Sequence, residues 1–156
     1  MCEYCGCQQI AVIVELTREH DAVVAILGSV RGVLAAGHLD DAAACCRELL
    51  ALLGPHTVVE EDGLFPELAD EYPDHVVALR AEHREIESVL AEAVDGPPTD
   101  STWPGRLERI AFLLREHILK EQDGVFPAAL STLDGDQWER VEQVRARAGS
   151  PLTARQ

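Results

Sequence analysis

One phrase occurs twice in this chain, 61 residues apart. His56, Glu60, Asp62, Gly63, Phe65 and Pro66 recur as His117, Glu121, Asp123, Gly124, Phe126 and Pro127, so six positions of eleven agree. On a helix, side chains four residues apart lie one above the other. Each phrase therefore aims a His and a Glu at one point. The fold must give both copies equivalent surroundings, and this is the tightest constraint on what the chain can become.

A second repeat supplies the rest of the frame. Leu16, Glu19, His20 and Leu27 recur as Leu79, Glu82, His83 and Leu90, 63 residues on. The chain thus reads as two copies of a helical hairpin. Four long helical stretches are expected: Ile10 to Ala36, Asp40 to Asp70 with interruptions at Gly54-Pro55 and Pro66, Pro73 to Val94, and Trp103 to Leu130. A shorter amphipathic piece follows from Asp136 to Ala148, and the chain from Gly149 onward reads as frayed. Apolar residues at helical spacing place His20, His56, His83 and His117 on inward stripes, with Glu60 and Glu121 one turn further on. Those stripes also take in Leu34, Val94 and Val125. Short connections favour antiparallel neighbours. The expected fold is all-α, an antiparallel up-down-up-down four-helix bundle over residues 10–131. A Cys-rich arm (1–9) precedes it, and a short C-terminal helix with its tail (132–156) follows.

Composition narrows the function. The formal net charge of −15 over 156 residues argues against nucleic acid and against an anionic membrane surface. No uninterrupted apolar run reaches the roughly 18 residues that suggest a membrane span. The first ten residues lack the basic start of a secretory signal. The five cysteines then fit a reducing cytosol, where metal or redox roles outrank disulfides.

A single inward histidine is ordinarily a hydrogen-bonded core residue. Four in register, with two buried carboxylates at matching offsets, ask for another explanation. Unpartnered, each ionised carboxylate would cost several kcal/mol to bury. Shared cations remove that cost. Imidazole and carboxylate without thiolate suit iron, manganese or zinc, and iron is the expectation. Six ligands from four helices imply two ions, each taking two His, with both Glu bridging. A bridging oxide or hydroxide would leave one open position per ion, as a reactive or gas-binding site needs.

The pattern of His, His-x-x-x-Glu, His, His-x-x-x-Glu, with Phe-Pro five and six residues after each Glu, resembles hemerythrin-like domains, also called HHE cation-binding domains. The resemblance covers Leu16 to Leu130. It implies a four-helix bundle around a non-haem di-iron centre, with His20, His56, His83 and His117 as terminal ligands and Glu60 and Glu121 as bridges. The oxygen-carrying members have a further His four residues after the third-helix His, where this chain has Glu87. They also carry an Asp after four intervening residues on the fourth helix, where this chain has Glu121 after three. The resemblance is closer to members linked with peroxide handling, nitric-oxide response and iron–sulfur cluster repair. It implies binding of, or reaction with, dioxygen, hydrogen peroxide or nitric oxide. The alternative is a non-catalytic sensor or carrier of oxygen or iron, and a third reading is a structural zinc site.

Several residues stand beside this core set. Glu87, at the place of that further His, is a candidate additional metal ligand. Glu61 follows Glu60, but its counterpart is Gln122, so Glu60 is the better ligand. Asp62 and Asp123 are candidate acceptors for ligand imidazole N–H groups, or turn formers beside their glycines. Phe65 and Phe126 wall the site or pack beneath it. Tyr4 and Tyr72 could tune bound oxygen species, with nothing to place them nearby. His38 and His75 read as surface. Cys45 and Cys46 read as small core residues. Cys2, Cys5 and Cys7 form a Cys-x-x-Cys-x-Cys arm suited to a second metal or a redox role, although three thiols do not close a tetrahedral site.

Overall fold

The computed structural model describes residues 10–152. The arm with Cys2, Tyr4, Cys5 and Cys7 lies outside the described residues, as do residues 153–156. Among the described residues the fold is all-α and contains no strand. The helices are α1 (Ala11–Ala35), α2 (Leu39–Val58), α3 (Phe65–Leu68), α4 (Pro73–Ala91), α5 (Trp103–Lys120), α6 (Phe126–Thr132) and α7 (Gly135–Ala148). Two π-helical turns interrupt this series, π1 (Val59–Leu64) between α2 and α3 and π2 (Glu121–Val125) between α5 and α6. α1 packs on α2 and α5, and α4 packs on the same two helices. The four long helices therefore form a square in which sequence neighbours are spatial neighbours.

Local chemistry sets the corners. Gly37 adopts φ +74° after α1. Its N–H donates to the Leu34 carbonyl, and the His38 N–H reaches back to the Val33 carbonyl at 2.9 Å. This paired closure needs a left-handed residue, which glycine adopts without penalty. α4 begins at Pro73, where a missing N–H removes no helical bond. α7 opens with a reciprocal cap between Asp134 and Gln137.

Pro55 and Pro66 behave differently from their sequence reading. Gly54-Pro55 does not interrupt the helix: Pro55 lies inside α2, and the helical path runs on from Leu39 to Leu68. Pro66 follows a π turn, in which N–H groups bond five residues back. The Phe65 N–H donates to the Glu60 carbonyl, and the Phe126 N–H to the Glu121 carbonyl. The next bond in that series would run from residue 66 to Glu61, and proline has no N–H to make it. The freed Glu61 carbonyl accepts from Arg80 Nη2 at 2.8 Å instead. By length and mean hydropathy, 1.2, this 30-residue helix would suffice to cross a bilayer, but half of the window that meets the measure is buried in the bundle.

Two apolar clusters fill the interior. One holds Leu27, Leu49, Leu52, Ile86, Leu90, Trp103, Leu107 and Ile110. The other holds Leu16, Leu64, Phe65, Leu79, Phe126, Trp138 and Val141. Two inward expectations shift at helix ends: α4 stops at Ala91, so Val94 is exposed and Ala93 is buried in its place. Leu34 and Val125 are only half-buried.

α7 lies over π1 and also touches α1 and α2. Its seat is shaped by Gly63, where an added Cβ would stand 3.3 Å from Val144 Cβ and 3.5 Å from Val141 Cγ1. The chain beyond α7 is not frayed through Leu152. Pro151 is buried and Leu152 packs on the first apolar cluster. The repeat-related Gly124 has open space around it. It borders a groove of about 560 Å³ with Tyr72, His75, Val76, Glu82 and Lys120 on its walls.

These two glycines give a paired test. Gly63→Leu should force α7 off its seat and lower stability by roughly 1–3 kcal/mol. Gly124→Ala should be neutral or raise stability by about 0.4–1 kcal/mol, because helical backbone there gains from a Cβ. Thermal or denaturant unfolding of the two variants reads the difference.

Candidate metal centre

Between the two apolar clusters lies one polar layer. His20 comes from α1, His56 from the last turn of α2, Glu60 from π1, His83 from α4, His117 from the last turn of α5 and Glu121 from π2. All six are buried, and both carboxylates have no exposed surface. The ligand atoms fall into two groups, each within 4.8 Å. One is His20, His56, Glu60 and Glu121; the other is His83, His117, Glu60 and Glu121. The two carboxylates belong to both.

The orientation of each side chain fits that sharing. Glu60 Oε1 lies 3.0 Å from His56 Nε2 and 3.9 Å from His20 Nε2, while its Oε2 lies 3.2 Å from His83 Nε2. Glu121 Oε1 lies 3.1 Å from His117 Nε2 and 3.3 Å from His20 Nε2. These approaches are short but out of hydrogen-bond alignment. His20 Nε2, His117 Nε2 and all four oxygens of Glu60 and Glu121 have no hydrogen-bond partner. Buried polar atoms are almost always satisfied. Six orphaned donor atoms converging in one layer are the mark of a cation site, and the donor set suits a transition metal.

The other ring nitrogen of every histidine is held. His20 Nδ1–H donates to Gln122 Oε1 at 3.1 Å, His56 Nδ1–H to Glu19 Oε1 at 3.1 Å, His83 Nδ1–H to Glu61 Oε1 at 2.8 Å and His117 Nδ1–H to Glu82 Oε2 at 2.6 Å. A proton fixed on Nδ1 leaves the Nε2 lone pair pointing into the cage. The four acceptors follow the repeats. Glu19 and Glu82 precede the first histidine of each hairpin, and Glu61 and Gln122 follow the ligand carboxylate. Phe126 stacks on His20 at 5.5 Å and Phe65 on His83 at 5.7 Å, which fixes two rings from the side.

The sequence reading misses the roles of Glu19 and Glu82, and that of Arg145 of α7. Glu19 is wholly buried, and Arg145 Nη1 donates to both of its oxygens, at 3.2 and 2.9 Å. The Leu-x-x-Glu-His repeat contained the signal. Arg145 had none, because it lies outside both repeats. Asp62 and Asp123 do not support the imidazoles: both are exposed. Glu61 and Gln122 take that task. Glu87 borders the cage cavity, but its carboxylate is 39% exposed, pairs with Arg84 at 3.4 Å and belongs to neither ligand group. His38 pairs with Asp41 at the surface, and His75 meets Tyr72 edge-on beside the groove. Cys46 is buried, which pushes its thiol up to about 12 and keeps it protonated; Cys45 is half-buried, and both are free.

Protons and cations compete for this cage. Burial alone would depress the His56 imidazole, but the Glu60 charge and the contacts with Glu19 and Glu60 push it up to about 10. For His117, burial again opposes, and Glu121, Glu60 and Glu82 together push it up to about 9. His83 is raised against burial by Glu60 and Glu61. Burial would raise Glu60, but the His56 charge and the closeness of His56 and His83 hold it well below the usual carboxylate range.

Comparison with known proteins agrees with this geometry. A family model, the hemerythrin HHE cation binding domain, matches residues 11–129. No curated protein and no solved structure matches the chain.

Two outcomes are expected. His56→Ala and His117→Ala should each lower the metal content of purified protein, measured by elemental analysis; unchanged content would refute the cage. In metal-stripped protein, His56 and His117 have pKa values raised above the unfolded value of about 6.5. Their contribution to stability is complete below that value and is lost as pH rises through about 9 to 10. The melting temperature of stripped protein should therefore fall between pH 7 and 10, and metal uptake should release protons.

Proposed function

The chain belongs to the hemerythrin HHE cation-binding domain family, and on that premise we propose that it is a non-haem di-iron protein of the cytosol that binds and reacts with a small oxidant, namely dioxygen, hydrogen peroxide or nitric oxide. The observation that carries this reading is the pair of buried two-histidine clusters sharing Glu60 and Glu121 beside a small cavity. His20 and His56 would hold one iron, His83 and His117 the other, and both carboxylates would bind to both. Iron bound there would supply redox chemistry, up to two electrons per pair, at positions open to an outside molecule.

The chain's own residues define what reaches those positions. The cavity is about 10 Å³, the size that admits roughly one water-sized molecule. Leu53, Ile86, Leu114 and Ile118 give it apolar walls, and Thr57 lines it as well. A molecule near the size of water fits, and a larger organic substrate does not. The apolar part of that lining favours a neutral visitor over an ion. Both ion positions have the same ligands, two His and two shared Glu, and Glu87 is engaged with Arg84. Neither position is closed by an extra histidine, which favours reaction over carriage. The cytosolic placement rests on the cysteines, of which Cys45 and Cys46 are free thiols.

Metal analysis and an optical spectrum test the reading. Full-length protein should carry about two irons, one for each ligand group, with a ligand-to-iron charge-transfer band that changes on adding peroxide. Oxygen evolution from peroxide, lost in Glu60→Ala, would identify the reaction as disproportionation. Protein that holds only zinc, with no spectral response to any of the three oxidants, would sink the proposal. Ile118→Phe should fill the cavity, so the reaction with peroxide should slow severalfold while iron content stays unchanged.

A further inference from the structure

The two cation positions share their ligand types but differ in what stands behind the ligands. Behind His83 and His117 are two carboxylates, Glu61 at 2.8 Å and Glu82 at 2.6 Å. Behind His20 is the neutral amide of Gln122 at 3.1 Å, and behind His56 is Glu19, also at 3.1 Å. Charged acceptors make shorter and stronger bonds to an N–H. They also draw the Nδ1 proton towards themselves, which raises the electron density and basicity of Nε2.

The cations that neutralise these carboxylates deepen the difference. Arg145 is 9% exposed and grips both oxygens of Glu19. In that dry setting it withdraws charge from Glu19 with little screening. The partners of Glu61 and Glu82 are Arg84, 57% exposed, Arg80, 40% exposed, and Lys120, 54% exposed. Water screens those three. The His20–His56 position thus has one neutral acceptor and one closely neutralised carboxylate. The His83–His117 position has two carboxylates that keep more of their charge.

We infer that the two positions are unequal in affinity: the His83–His117 position takes a divalent cation first and holds it more tightly, and the Glu61-for-Gln122 difference between the repeats sets much of that order. The inference rests on the cation-site reading above. Outer-sphere partners of metal-ligating histidines typically change affinity by about 10–100-fold, so a gap of that size is expected. Glu61 and Gln122 act here as positioning residues, through His83 and His20.

Zinc(II) is a suitable probe, because it is diamagnetic and leaves the histidine ring signals visible by NMR. With metal-stripped full-length protein and one equivalent of zinc, the His83 and His117 rings should shift before those of His20 and His56. Glu61→Gln should weaken the tighter position and Gln122→Glu should strengthen the weaker one. Each change should narrow the gap by about tenfold or more, from opposite directions, which simple loss of structure would not do. Wild-type rings that move together, or His20 and His56 moving first, would overturn the inference and leave the cage intact. A gap unchanged in both variants would overturn the role of Glu61 and Gln122. No ring movement at any zinc ratio would overturn the cation-site reading along with it.

Discussion

Two carboxylates with no exposed surface share one layer of this bundle, and most of the surrounding structure exists to make that tolerable. Burying Glu60 and Glu121 unpartnered would cost several kcal/mol each. A typical domain has only 5–15 kcal/mol of net stability to set against it. Four imidazoles close on the carboxylates, four side-chain oxygens hold the imidazoles, and arginines and a lysine hold three of those four, buried at Glu19 and half-exposed at Glu61 and Glu82. The charge is thereby passed outward in shells until it meets water. In the innermost shell, six nitrogen and oxygen atoms stay without a hydrogen-bond partner, and there they converge at cation-binding distance.

The backbone takes part in this arrangement. In a regular helix, residues 56 and 60 would project along one line. The π turn that begins at Val59 widens the helix at the carboxylate, and the same occurs from Glu121. π-helical turns are uncommon and concentrate at functional sites. Here the turn recurs at equivalent places in both hairpins, with the Phe-Pro pair at its end each time. The phenylalanine N–H closes the wide turn, and its ring packs flat against a ligand histidine. The proline that follows gives up no bond, since the carbonyl it leaves free is used by Arg80 in the first copy.

This explains what could be read in advance and what could not. The bundle was legible because stripes of Leu, Ile and Val at helical spacing carry most of the burial signal, and the ligand candidates were legible because each lay on such a stripe. Pro55 and Pro66 do not follow their sequence reading, because a proline within a helical pattern ordinarily signals a break and π geometry is invisible to a period of 3.6. Asp62 and Asp123 read from the sequence as imidazole acceptors or as turn formers; with the turn widened, Glu61 and Gln122 face the neighbouring helix and the aspartates face solvent. Val94 was drawn inward by extending a stripe past the point where the helix stops. Arg145 had no periodic or repeated context, and its role emerges only when α7 folds back on the first hairpin.

That fold-back breaks the duplication at the level of the surroundings. The first hairpin has α7 against its π turn, so Glu19 and its arginine are dry. At the corresponding place the second hairpin has a groove, and Glu82 there meets a half-exposed lysine. The same charge pair has a different strength in these two settings, because effective dielectric rises steeply toward solvent. A duplicated sequence can therefore supply two matching sets of ligands while a helix outside the repeat gives them different electrostatics. Two cations bound there would meet unequal surroundings. Here the symmetric inner shell comes from the repeats, and its asymmetry comes from α7 and from one exchange of glutamate for glutamine.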